Sequence, residues 1–376
     1  GGEDIVVENE KCLLEKQGHS VFLYTRSNME IETFSAIRKA LLPMTALFSL
    51  RTYYEVKQVI RKEKIDIVHV HNTLSLISPS VYYAAFICGK PVVQTLHNFR
   101  LLCPNALFLR NGKICEECVE KGLGCAVRYR CYRGSLTQSL VSAAVLKLHR
   151  ILGTYKRLFY ICLTDFNKEK LLLLNRDGKI RVQEENIFIK PNFIPQLNML
   201  SLEKKERYIY VGRLESLKGL WSLLEAWREF PDKELVLCGK GPEEKKVRSY
   251  LNKHHMKQVK LLGHQSHDTV LGLIAESRAL ILPTIAYEGQ PMTILESYAV
   301  GTPVIASDIG NAGNMVEEGV TGFRFSCGNI KSLREAVIRM DEKRDWDTRT
   351  VYEKLYTEEK NYELLQQIYM SVQRKA

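Results

Sequence analysis

The sequence predicts an α/β protein made of two doubly wound domains, because three observations agree. Short β-branched runs alternate along the chain with longer segments of helical periodicity. Several of these runs are almost entirely apolar, as expected for parallel strands buried on both faces. The chain has 376 residues, the size of two ordinary domains. In such folds ligands bind at the carboxyl ends of the strands, so the loops that follow strands are the places to look for a site.

The predicted elements follow this alternation from one end of the chain to the other. Strands are predicted at Ser20–Tyr24, Asp66–Val70, Pro91–Leu96, Phe159–Leu163, Tyr208–Val211, Glu234–Cys238, Val259–Leu262, Ala279–Leu282 and Pro303–Ala306. Helices are predicted between them, for example at Ile5–Lys16, Thr52–Lys62, Leu220–Arg228 and Pro242–Lys253.

The best domain boundary is the segment KPNFIPQL at residues 190–197, where two prolines interrupt the pattern before a fresh series of strands begins. We therefore predict a first domain at residues 1–193 and a second at 194–344. Residues 345–376 are predicted to be helical and to pack back toward the first domain. A cysteine-rich insert occupies about residues 103–133 of the first domain.

The net charge of +11 is concentrated in the first half of the chain. Residues 1–200 carry 28 Lys and Arg against 18 Asp and Glu, whereas residues 201–376 carry 26 against 25. An anionic membrane surface, a polyanion or a phosphorylated substrate would explain this asymmetry, and so would a merely soluble basic surface. No nucleic-acid partner is expected, because aromatic residues are not interleaved with the basic ones in a known binding motif.

No apolar run reaches the roughly 18 residues that a membrane-spanning helix needs. The sequence shows no basic-then-apolar leader, so we expect a cytoplasmic protein. Residues 36–62 place apolar side chains beside basic ones, a pattern that predicts peripheral attachment to the inner face of the cell membrane. An ordinary helix pair that covers the sheet is the alternative. The residues concerned are Leu41, Leu42, Met44, Leu47, Phe48 and Leu50 beside Arg38, Lys39, Arg51, Lys57, Arg61 and Lys62.

Two glycine-containing loops at strand ends suit an anionic ligand. In VGRLESLKG (residues 211–219), Arg213 and Lys218 stand five residues apart just before a helix, where cations and backbone N–H groups can converge. In CGKGPE (residues 238–243), Gly239 and Gly241 permit close backbone approach to a ligand. Solvated surface cations and a simple turn are the alternatives for these two fragments.

The third loop, PTIAYEGQPMTILE at residues 283–296, carries two glutamates that seven residues separate. Glu288 lies in the loop, and Glu296 lies in a helix predicted to begin near Pro291. The free N–H groups at that helix start attract a phosphate or sugar oxygen, and Glu296 can accept hydrogen bonds from a diol. An exposed helix face would also explain two glutamates at this spacing.

Taken together, GRLESLKG, CGKGPE, YEGQPMTILES and GTPVIASDIG resemble the donor domain of the retaining GT-B glycosyltransferases, the glycosyltransferase family 4-like or group 1 enzymes. The first half resembles the same family at Gly1–Glu3, Gly18–Val21, His69–Asn72 and Thr95–Asn98. The resemblance implies a GT-B fold, in which two Rossmann-like domains face each other across a cleft. It also implies transfer of a hexose, with retention, from a UDP- or GDP-sugar to a glycan or lipid-linked acceptor in surface polysaccharide or lipopolysaccharide biosynthesis.

The resemblance assigns roles residue by residue. It makes His97 and Glu288 the catalytic residues, with His97 directed at the donor sugar, Arg213 and Lys218 on the diphosphate, and Glu296 on the ribose. The remaining donor-binding residues that it implies are Gly2, Gly239, Gly241, Gly289, Pro291, Met292 and Thr293, and Asn192 matches a Pro-Asn pair usual at the domain junction. Since two cations and a helix start meet the charge of the leaving diphosphate, no cofactor is expected to be required for catalysis.

Three departures from the family pattern stand out. The strand that usually precedes the Gly-Gly loop is absent, so the edge of the first sheet is expected to be incomplete. Gln290 stands where an aromatic residue is common, and residues 310–314 lack an acidic residue often found near their end. The last two departures are expected to affect sugar preference.

The cysteines and two histidines complete the candidate residues. Cys103, Cys115, Cys118 and Cys131 are predicted to bind a structural zinc ion, with Cys125 as an alternative ligand, because the stretch lacks apolar residues with which to pack itself. Reduced thiols on a mobile loop are the alternative. His69 and His71 follow a strand, and we expect at most one of them to face the cleft.

Two other functions compete with glycosyl transfer. A GT-B nucleotide-sugar 2-epimerase would use a similar donor pocket without an acceptor. A non-catalytic basic protein, either nucleic-acid-binding or a scaffold, would explain the charge and the cysteines but not the donor-domain motifs.

Overall fold

The computed structural model describes residues 2–74, 76–197 and 203–375, which form two compact units. Unit 1 contains the chain up to Phe108, Cys115–Pro191 and the chain from Asn361 on. Unit 2 contains Asn192–Lys360 together with the short segment Leu109–Ile114.

Both units are built on parallel sheets. The strands are β1 (Val68–Val70), β2 (Val92–Leu96), β3 (Leu109–Arg110), β4 (Lys113–Ile114), β5 (Phe159–Cys162), β6 (Ile187–Ile189), β7 (Arg207–Val211), β8 (Glu234–Cys238), β9 (Val259–Gly263), β10 (Ala279–Leu282), β11 (Val304–Ser307) and β12 (Gly322–Phe325). In unit 1 the parallel order is β1-β2-β5-β6, and in unit 2 it is β12-β11-β10-β7-β8-β9. β3 and β4 form a separate antiparallel hairpin.

Helices connect most of the strands. They are α1 (Gly2–Lys16), α2 (Ala36–Ala40), α3 (Leu42–Leu47), α4 (Leu50–Lys62), α5 (Ser80–Ile87), α6 (Glu117–Glu120), α7 (Gly124–Arg128), α8 (Leu136–Ile151), α9 (Asp165–Leu172), α10 (Leu220–Trp227), α11 (Glu244–Lys253), α12 (His267–Ala275), α13 (Met292–Ala299), α14 (Gly310–Asn314), α15 (Ile330–Glu342), α16 (Thr348–Leu355) and α17 (Glu358–Lys375). Among the described residues, no helix combines the length and the hydropathy needed to cross a bilayer.

The sheet of unit 2 carries an apolar layer on each face, as its continuous apolar strands predict. On one face the fully buried Trp227 of α10 packs with Tyr208 of β7 and Leu333 of α15. On the other, Ile294 and Tyr298 of α13 pack among buried residues of β7, β8, β10 and β11. These two layers fix the loops at the carboxyl edge of the sheet.

The core of unit 1 includes residues from the far end of the chain. Leu365, Ile368 and Val372 of α17 pack against a buried group on β2 and β5 that contains Val93, Phe159 and Ile161. The sequence predicted that all of residues 345–376 pack back toward the first domain, but in the structure only the chain from Asn361 on belongs to unit 1. The reason is that Tyr352 and Tyr356 are buried in the core of unit 2.

The first predicted strand, Ser20–Tyr24, is wrong: these residues form no strand in the structure. β1 pairs with β2, and in the described sheet no strand lies on its other side. Beside it runs a groove of about 1220 Å³, lined by β1, α1, α17 and residues 18–28. Residues 20–24 line this groove and do not pair with a described strand, although their apolar pattern suits a strand. Among the described residues, β1 is therefore the edge strand of the first sheet.

Candidate active site

The candidate site of unit 2 lies where the order of its sheet reverses. The chain runs outward from β7 to β8 and β9, and then returns to start a second series with β10 beside β7. At such a reversal the loops that follow the two neighbouring strands diverge and leave a crevice, which is where α/β sheets bind ligands. The loop after β7 contains Arg213 and Lys218, and the loop after β10 contains Glu288.

Backbone contacts hold the loop after β7 in place. The Tyr210 hydroxyl donates to the carbonyl of Arg213 at 2.7 Å, and the Leu214 N–H donates to the carbonyl of Lys240 at 3.1 Å. A 3-10 turn at Ser216–Lys218 then leads into α10. The Arg213 side chain is 70% exposed and comes no closer than 3.7 Å to Glu215, so its guanidinium is available to an anion.

Lys218 and Glu288 connect this loop to the one after β10. The Lys218 Nζ lies 2.6 Å from Glu288 Oε1, and both side chains are largely buried. The Ile285 N–H donates to the Leu217 carbonyl at 3.0 Å, which fixes the two backbones together. The Asn311 amide donates to the carbonyls of Glu288 and Gly289 and so holds the far side of the same loop.

Helix α13 begins directly after this loop. Pro291 stands at its N-cap and makes no side-chain cap, so the first-turn N–H groups of Met292 and Thr293 are not covered by a side chain. Glu296, one turn further, is 11% exposed, and its Oε1 lies 3.1 Å from His267 Nε2 of α12. This hydrogen bond raises the pKa of His267. The second oxygen of Glu296 remains available to a ligand hydroxyl.

The glycines of CGKG allow two neighbouring loops to pack closely against each other. A Cβ at Gly239 would lie 1.9 Å from the carbonyl oxygen of Gly212, and one at Gly241 would lie 2.3 Å from that of Leu214. Gly239 also has a φ of +141°, a conformation that other residues rarely adopt. The close approach that we predicted toward a ligand is thus made toward the neighbouring loop.

Gln290 is buried against the start of unit 2. Its Oε1 accepts the backbone N–H of Asn192 at 2.7 Å, which ties the predicted junction to the loop after β10. A phenylalanine or tryptophan at position 290 could not accept this bond. The departure from the family pattern therefore has a structural reason in this chain.

In unit 1, the candidate His97 belongs to a stack of three imidazoles. Its Nε2 lies 2.9 Å from His71 Nδ1, and the rings of His71 and His69 are stacked 4.5 Å apart. We expected at most one of His69 and His71 to face the cleft, but residues i and i+2 of a strand lie on the same face, and these two rings lie together. Burial lowers the pKa of His69 to about 4 and those of His71 and His97 to about 3, so all three are neutral at pH 7.

A buried ion pair lies behind this stack. Glu10 of α1 and Lys190 are 3% and 1% exposed, with Lys190 Nζ 3.1 Å from Glu10 Oε1. Burial alone would raise the pKa of Glu10, but the charge of Lys190 and the nearby imidazoles outweigh it and lower the pKa to about 2. Glu10 Oε2 lies 3.6 Å from His71 Nε2, and Lys190 also donates to Asn361 Oδ1 at 3.1 Å. The N-terminal helix, the imidazoles and the C-terminal helix thus share one polar cluster.

Glu10, His69 and His71 also offer ligand atoms within 4.8 Å of one another. Both ring nitrogens of His69, however, have hydroxyl partners, Tyr369 Oη and Thr95 Oγ1, each at 2.7 Å. Lys190 already supplies a positive charge to the carboxylate. The contacts therefore suit a hydrogen-bonded cluster better than a cation site.

The predicted Gly-Gly loop is not a loop where the structure describes it. Gly2 is the first residue of α1, followed in the same turn by Glu3 and Asp4. Two acidic side chains at a helix start oppose the approach of a phosphate, which the family resemblance had implied. Gly1 lies outside the described residues.

The cysteine-rich stretch places three other thiols near enough to Cys118 to act on it electrostatically. Burial, followed by the charges of Cys103, Cys131 and Cys125, raises the pKa of Cys118 to about 12, whereas Cys115 is not among the groups that act on it. Within the described residues no three thiols offer sulfur atoms inside 4.8 Å of one another. The stretch packs better than its sequence suggested, because Phe108 and Ala126 are fully buried.

Sequence reasoning missed several residues of these clusters. The available signal for His267 was its position directly after Ser266, the N-cap of α12, at the start of the helix that follows β9. Lys190 adjoins the Pro-Asn junction and could have been suspected. Glu10 and Asn311 gave no signal, because their partners are distant in sequence.

Comparison with known families decides the classification. The model of Glycosyl transferases group 1 matches residues 198–355, and that of Glycosyltransferase Family 4 matches residues 1–121. The chain belongs to the group 1 glycosyl transferases. The predicted family is therefore confirmed.

Curated relatives of this group 1 glycosyl transferase cover different shares of it. Glycogen synthase of Mycobacterium tuberculosis (strain CDC 1551 / Oshkosh) is 32% identical over 134 residues, 34% of this chain and 32% of the relative. The chain thus spans about a third of the length of the first curated relatives that it matches. Alpha-monoglucosyldiacylglycerol synthase of Streptococcus pneumoniae (strain ATCC BAA-255 / R6) is 25% identical over 382 residues, 92% of this chain and 76% of the relative.

A solved structure extends the likeness of this group 1 glycosyl transferase to the whole fold. Anabaena Alr3699/HepE, in complex with UDP and glucose, superposes with a TM-score of 0.64 at 17% identity and covers 98% of this chain and 96% of that one. Together with the parallel sheets of both units, this likeness confirms the predicted α/β, GT-B fold class.

Proposed function

We propose that this protein is a retaining glycosyltransferase that moves a sugar from a nucleotide-sugar to a glycan or lipid-linked acceptor in surface polysaccharide or lipopolysaccharide biosynthesis. The observation that carries the proposal is the carboxyl edge of the unit 2 sheet. There Lys218 pairs with Glu288, and α13 begins without a side-chain cap one turn before Glu296. A nucleoside diphosphate sugar needs these groups: a cation, backbone donors and a carboxylate.

The donor occupies this edge through its three chemical parts. Lys218 and Arg213 bind the diphosphate together with the N–H groups that open α13, because opposite charge and charge-assisted hydrogen bonds are strongest on phosphate oxygens. Glu296 accepts the ribose hydroxyls. Glu288 and Gly289 lie against the transferred sugar.

The reaction needs no carboxylate nucleophile. The bond between the sugar C1 and the diphosphate oxygen breaks, and Lys218 and Arg213 stabilise the charge that develops on the leaving group. The acceptor oxygen then bonds to C1 from the same face, and its proton passes to the departing phosphate oxygen. Retention follows from attack on that face. Glu288, which is paired with Lys218, orients the cation instead of attacking.

The family resemblance assigns the acceptor side and a catalytic role for His97 to unit 1. A neutral imidazole such as that of His97 can accept a hydrogen bond from a sugar hydroxyl without repelling a positive charge on the sugar. The donor is a UDP-sugar by analogy with the Anabaena protein, which is in complex with UDP and glucose. The name of the pneumococcal relative, a diacylglycerol glycolipid synthase, supports a lipid acceptor.

Because a lipid acceptor lies in a membrane, the protein is also proposed to bind an anionic membrane surface. Ile37, Met44 and Leu50, from α2 to α4, are 76%, 66% and 64% exposed, and Arg38 and Lys39 lie on the fully exposed α2. Exposed apolar side chains beside cations bind anionic bilayers. Anionic vesicles are expected to retain the protein and to lose it when Ile37 and Met44 are both changed to serine. The double change Ile338→Ser and Met370→Ser, at exposed positions elsewhere, is the matched control, and equal flotation of both double variants would contradict the attachment.

A zinc ion held by Cys103, Cys118, Cys131 and either Cys115 or Cys125 is proposed to order the cysteine-rich stretch. Five of the eight non-glycine residues described with positive φ lie there: Ala106, Phe108, Asn111, Arg130 and Arg133. Left-handed backbone costs about 1–2 kcal/mol per residue and persists only where the surroundings hold it. A metal crosslink is one such constraint.

The decisive experiment offers UDP-, GDP- and ADP-sugars to the protein with and without lipid-linked and glycan acceptors. We expect transfer from one donor, with the product anomer matching that of the donor by NMR, and an unchanged rate when magnesium is omitted. An inverted anomer would contradict the retaining mechanism. A changed sugar without an acceptor would show a 2-epimerase, and no turnover or binding of any donor would overturn the proposal.

A further inference from the structure

We propose that Glu10 is a positioning residue: acting through His71, it fixes His97 in the tautomer that carries its proton on Nε2 and leaves Nδ1 as a bare hydrogen-bond acceptor. The catalytic consequence rests on the proposed function, whereas the tautomer itself does not. Every residue in the argument belongs to unit 1.

The first step is the charge of Glu10. Its side chain is almost completely buried, and Lys190 lies 3.1 Å from Oε1. Lys190 is in turn held by Asn361 Oδ1 at 3.1 Å, while the Asn361 amide donates to the Pro191 carbonyl at 2.6 Å. A cation fixed in this way keeps the carboxylate ionised, and an ionised carboxylate only accepts hydrogen bonds.

The second step is the ring of His71. Its Nε2 lies 3.6 Å from Glu10 Oε2. A bare ring nitrogen would point its lone pair at a negative oxygen across this distance, which is repulsive in a buried site, whereas an N–H is attracted to it. The ring is neutral, because burial lowers the pKa of His71 to about 3. With the proton on Nε2, His71 Nδ1 is bare.

The third step transfers this choice to His97. His71 Nδ1 lies 2.9 Å from His97 Nε2, and one of these two nitrogens has to donate. Since His71 Nδ1 is bare, His97 Nε2 carries the proton and His97 Nδ1 is the acceptor. Nδ1 has no partner among the described residues, and the ring lines a cavity of about 40 Å³ together with His71, Gln94 and Arg100.

The chemical result is a His97 whose Nδ1 accepts a hydrogen bond from a hydroxyl group and cannot donate one. A sugar hydroxyl has both a proton to donate and lone pairs to offer, so a fixed tautomer selects one orientation of that hydroxyl. If Glu10 were an amide, its NH₂ could donate to His71 Nε2. His71 Nδ1 would then carry the proton, and His97 would be pushed to the opposite tautomer.

The test uses long-range ¹H–¹⁵N spectra of the full chain labelled at histidine, because protonated and bare ring nitrogens differ strongly in these spectra. The His97 signals are assigned by their loss in His97→Gln. We expect protonated Nε2 and bare Nδ1 in the wild type, and a shift toward protonated Nδ1 in Glu10→Gln. Protonated Nδ1 in the wild type would overturn the proposal whether or not the protein transfers sugar.

Kinetics separate positioning from a merely structural role. Glu10→Gln is expected to lower kcat about ten- to a hundredfold, as loss of an orienting partner does, while donor affinity stays within about twofold. Glu10→Asp, which keeps the charge, should recover part of the rate. Because Glu10→Gln leaves Lys190 buried without its counter-ion, Glu10→Gln/Lys190→Met is the second variant, and it should show the same tautomer shift in a stable chain. A lowered kcat with the wild-type tautomer retained would assign Glu10 a structural role and overturn the proposal.

Discussion

At the scale of single residues, Lys218 is already neutralised before any ligand arrives. Its ammonium group lies 2.6 Å from Glu288 in a partly buried site, so a bound diphosphate has to compete with this carboxylate. Arg213, by contrast, is mostly exposed, and its guanidinium lies 3.7 Å from Glu215. The two cations are therefore expected to act in different ways, Lys218 as a fixed point and Arg213 as a side chain that closes on the ligand.

Lys218→Ala and Glu296→Gln should each weaken binding of the nucleotide-sugar by about 1.5–3 kcal/mol, since each removes a charged hydrogen bond from a partly buried site. Calorimetric titration with the donor measures this as roughly a ten- to hundredfold rise in Kd. Lys331→Ala and Glu335→Gln, on the exposed face of α15, are the matched controls. Unchanged affinity in both site variants would remove these residues from the donor site.

Gly241→Ala should destabilise the fold by about 1–3 kcal/mol, because its Cβ would lie 2.3 Å from a backbone oxygen and force the loop to move. Gly272→Ala is the control, since the interior of α12 has open space at that position and alanine favours a helix. The urea unfolding midpoint should fall for the first and stay or rise for the second. Equal midpoints would contradict the assigned packing role of Gly241.

The grouping of candidate site residues was predictable where they lie on loops that follow neighbouring strands. Lys218, Glu288, Gly289 and Glu296 stand at the ends of two strands that a parallel sheet brings side by side, so pattern and geometry coincide. The ion pair of Glu10 with Lys190 joins residues 180 positions apart, and no sequence pattern around either residue predicts it.

At the scale of elements, the cysteine-rich stretch shows how far a sequence pattern can mislead. The sequence suggested a stretch with too few apolar residues to pack, yet Phe108 is fully buried and its ring lies 5.3 Å from that of Phe99. Helix α7 packs beside α8. The stretch thus packs against the segments that flank it, and it contains five of the eight non-glycine residues described with positive φ.

Elemental analysis of protein purified without chelator should find about one zinc per chain, which Cys118→Ser abolishes. Cys12→Ser, at an exposed thiol of α1, is the control and should keep the metal. Comparing Cys115→Ser with Cys125→Ser identifies the fourth ligand, because only the true ligand lowers the zinc content. Metal-free protein with unchanged stability in chelator would rule out the zinc site.

Strand prediction succeeded for long apolar runs and failed for short or unsupported ones. Glu234–Cys238 and Ala279–Leu282 have the predicted bounds, because their apolar residues are continuous and buried. β6 and β12 escaped prediction, since three residues and the interrupted pattern GFRF give almost no periodicity. Ser20–Tyr24 has a strand pattern, but a strand also needs a ladder partner, which no pattern within the segment supplies.

At the scale of the whole molecule, three buried neutral histidines link stability to pH. Their pKa values in the folded protein, about 4 for His69 and about 3 for His71 and His97, lie below the ordinary value of 6.5. As pH falls below about 6.5, the unfolded chain therefore binds protons first. The stability is complete above that pH and is lost progressively between about 6.5 and 3.

The free energy of unfolding should fall by the order of 1 kcal/mol per buried histidine between pH 7.5 and 5.5, since one unit of pKa shift corresponds to about 1.4 kcal/mol. Urea unfolding at a series of pH values measures the slope. His97→Gln should reduce this slope by the contribution of one bound proton, whereas His264→Gln, at an exposed position, should leave the slope unchanged. Parallel curves for the wild type and His97→Gln would contradict a neutral buried His97.

The packing of α17 also sets the order in which the protein can mature during its synthesis. Leu365, Ile368 and Val372 complete the core of unit 1, and Asn361 holds the ammonium group of Lys190. The ribosome adds these residues only after Lys360, so unit 1, whose chain emerges first, cannot complete its core until they have been synthesised. Nearly all of unit 2, up to Lys360, is synthesised before them. Although domains generally fold in the order of their synthesis, a nascent chain of this protein should acquire a protease-resistant unit 2 before a protease-resistant unit 1.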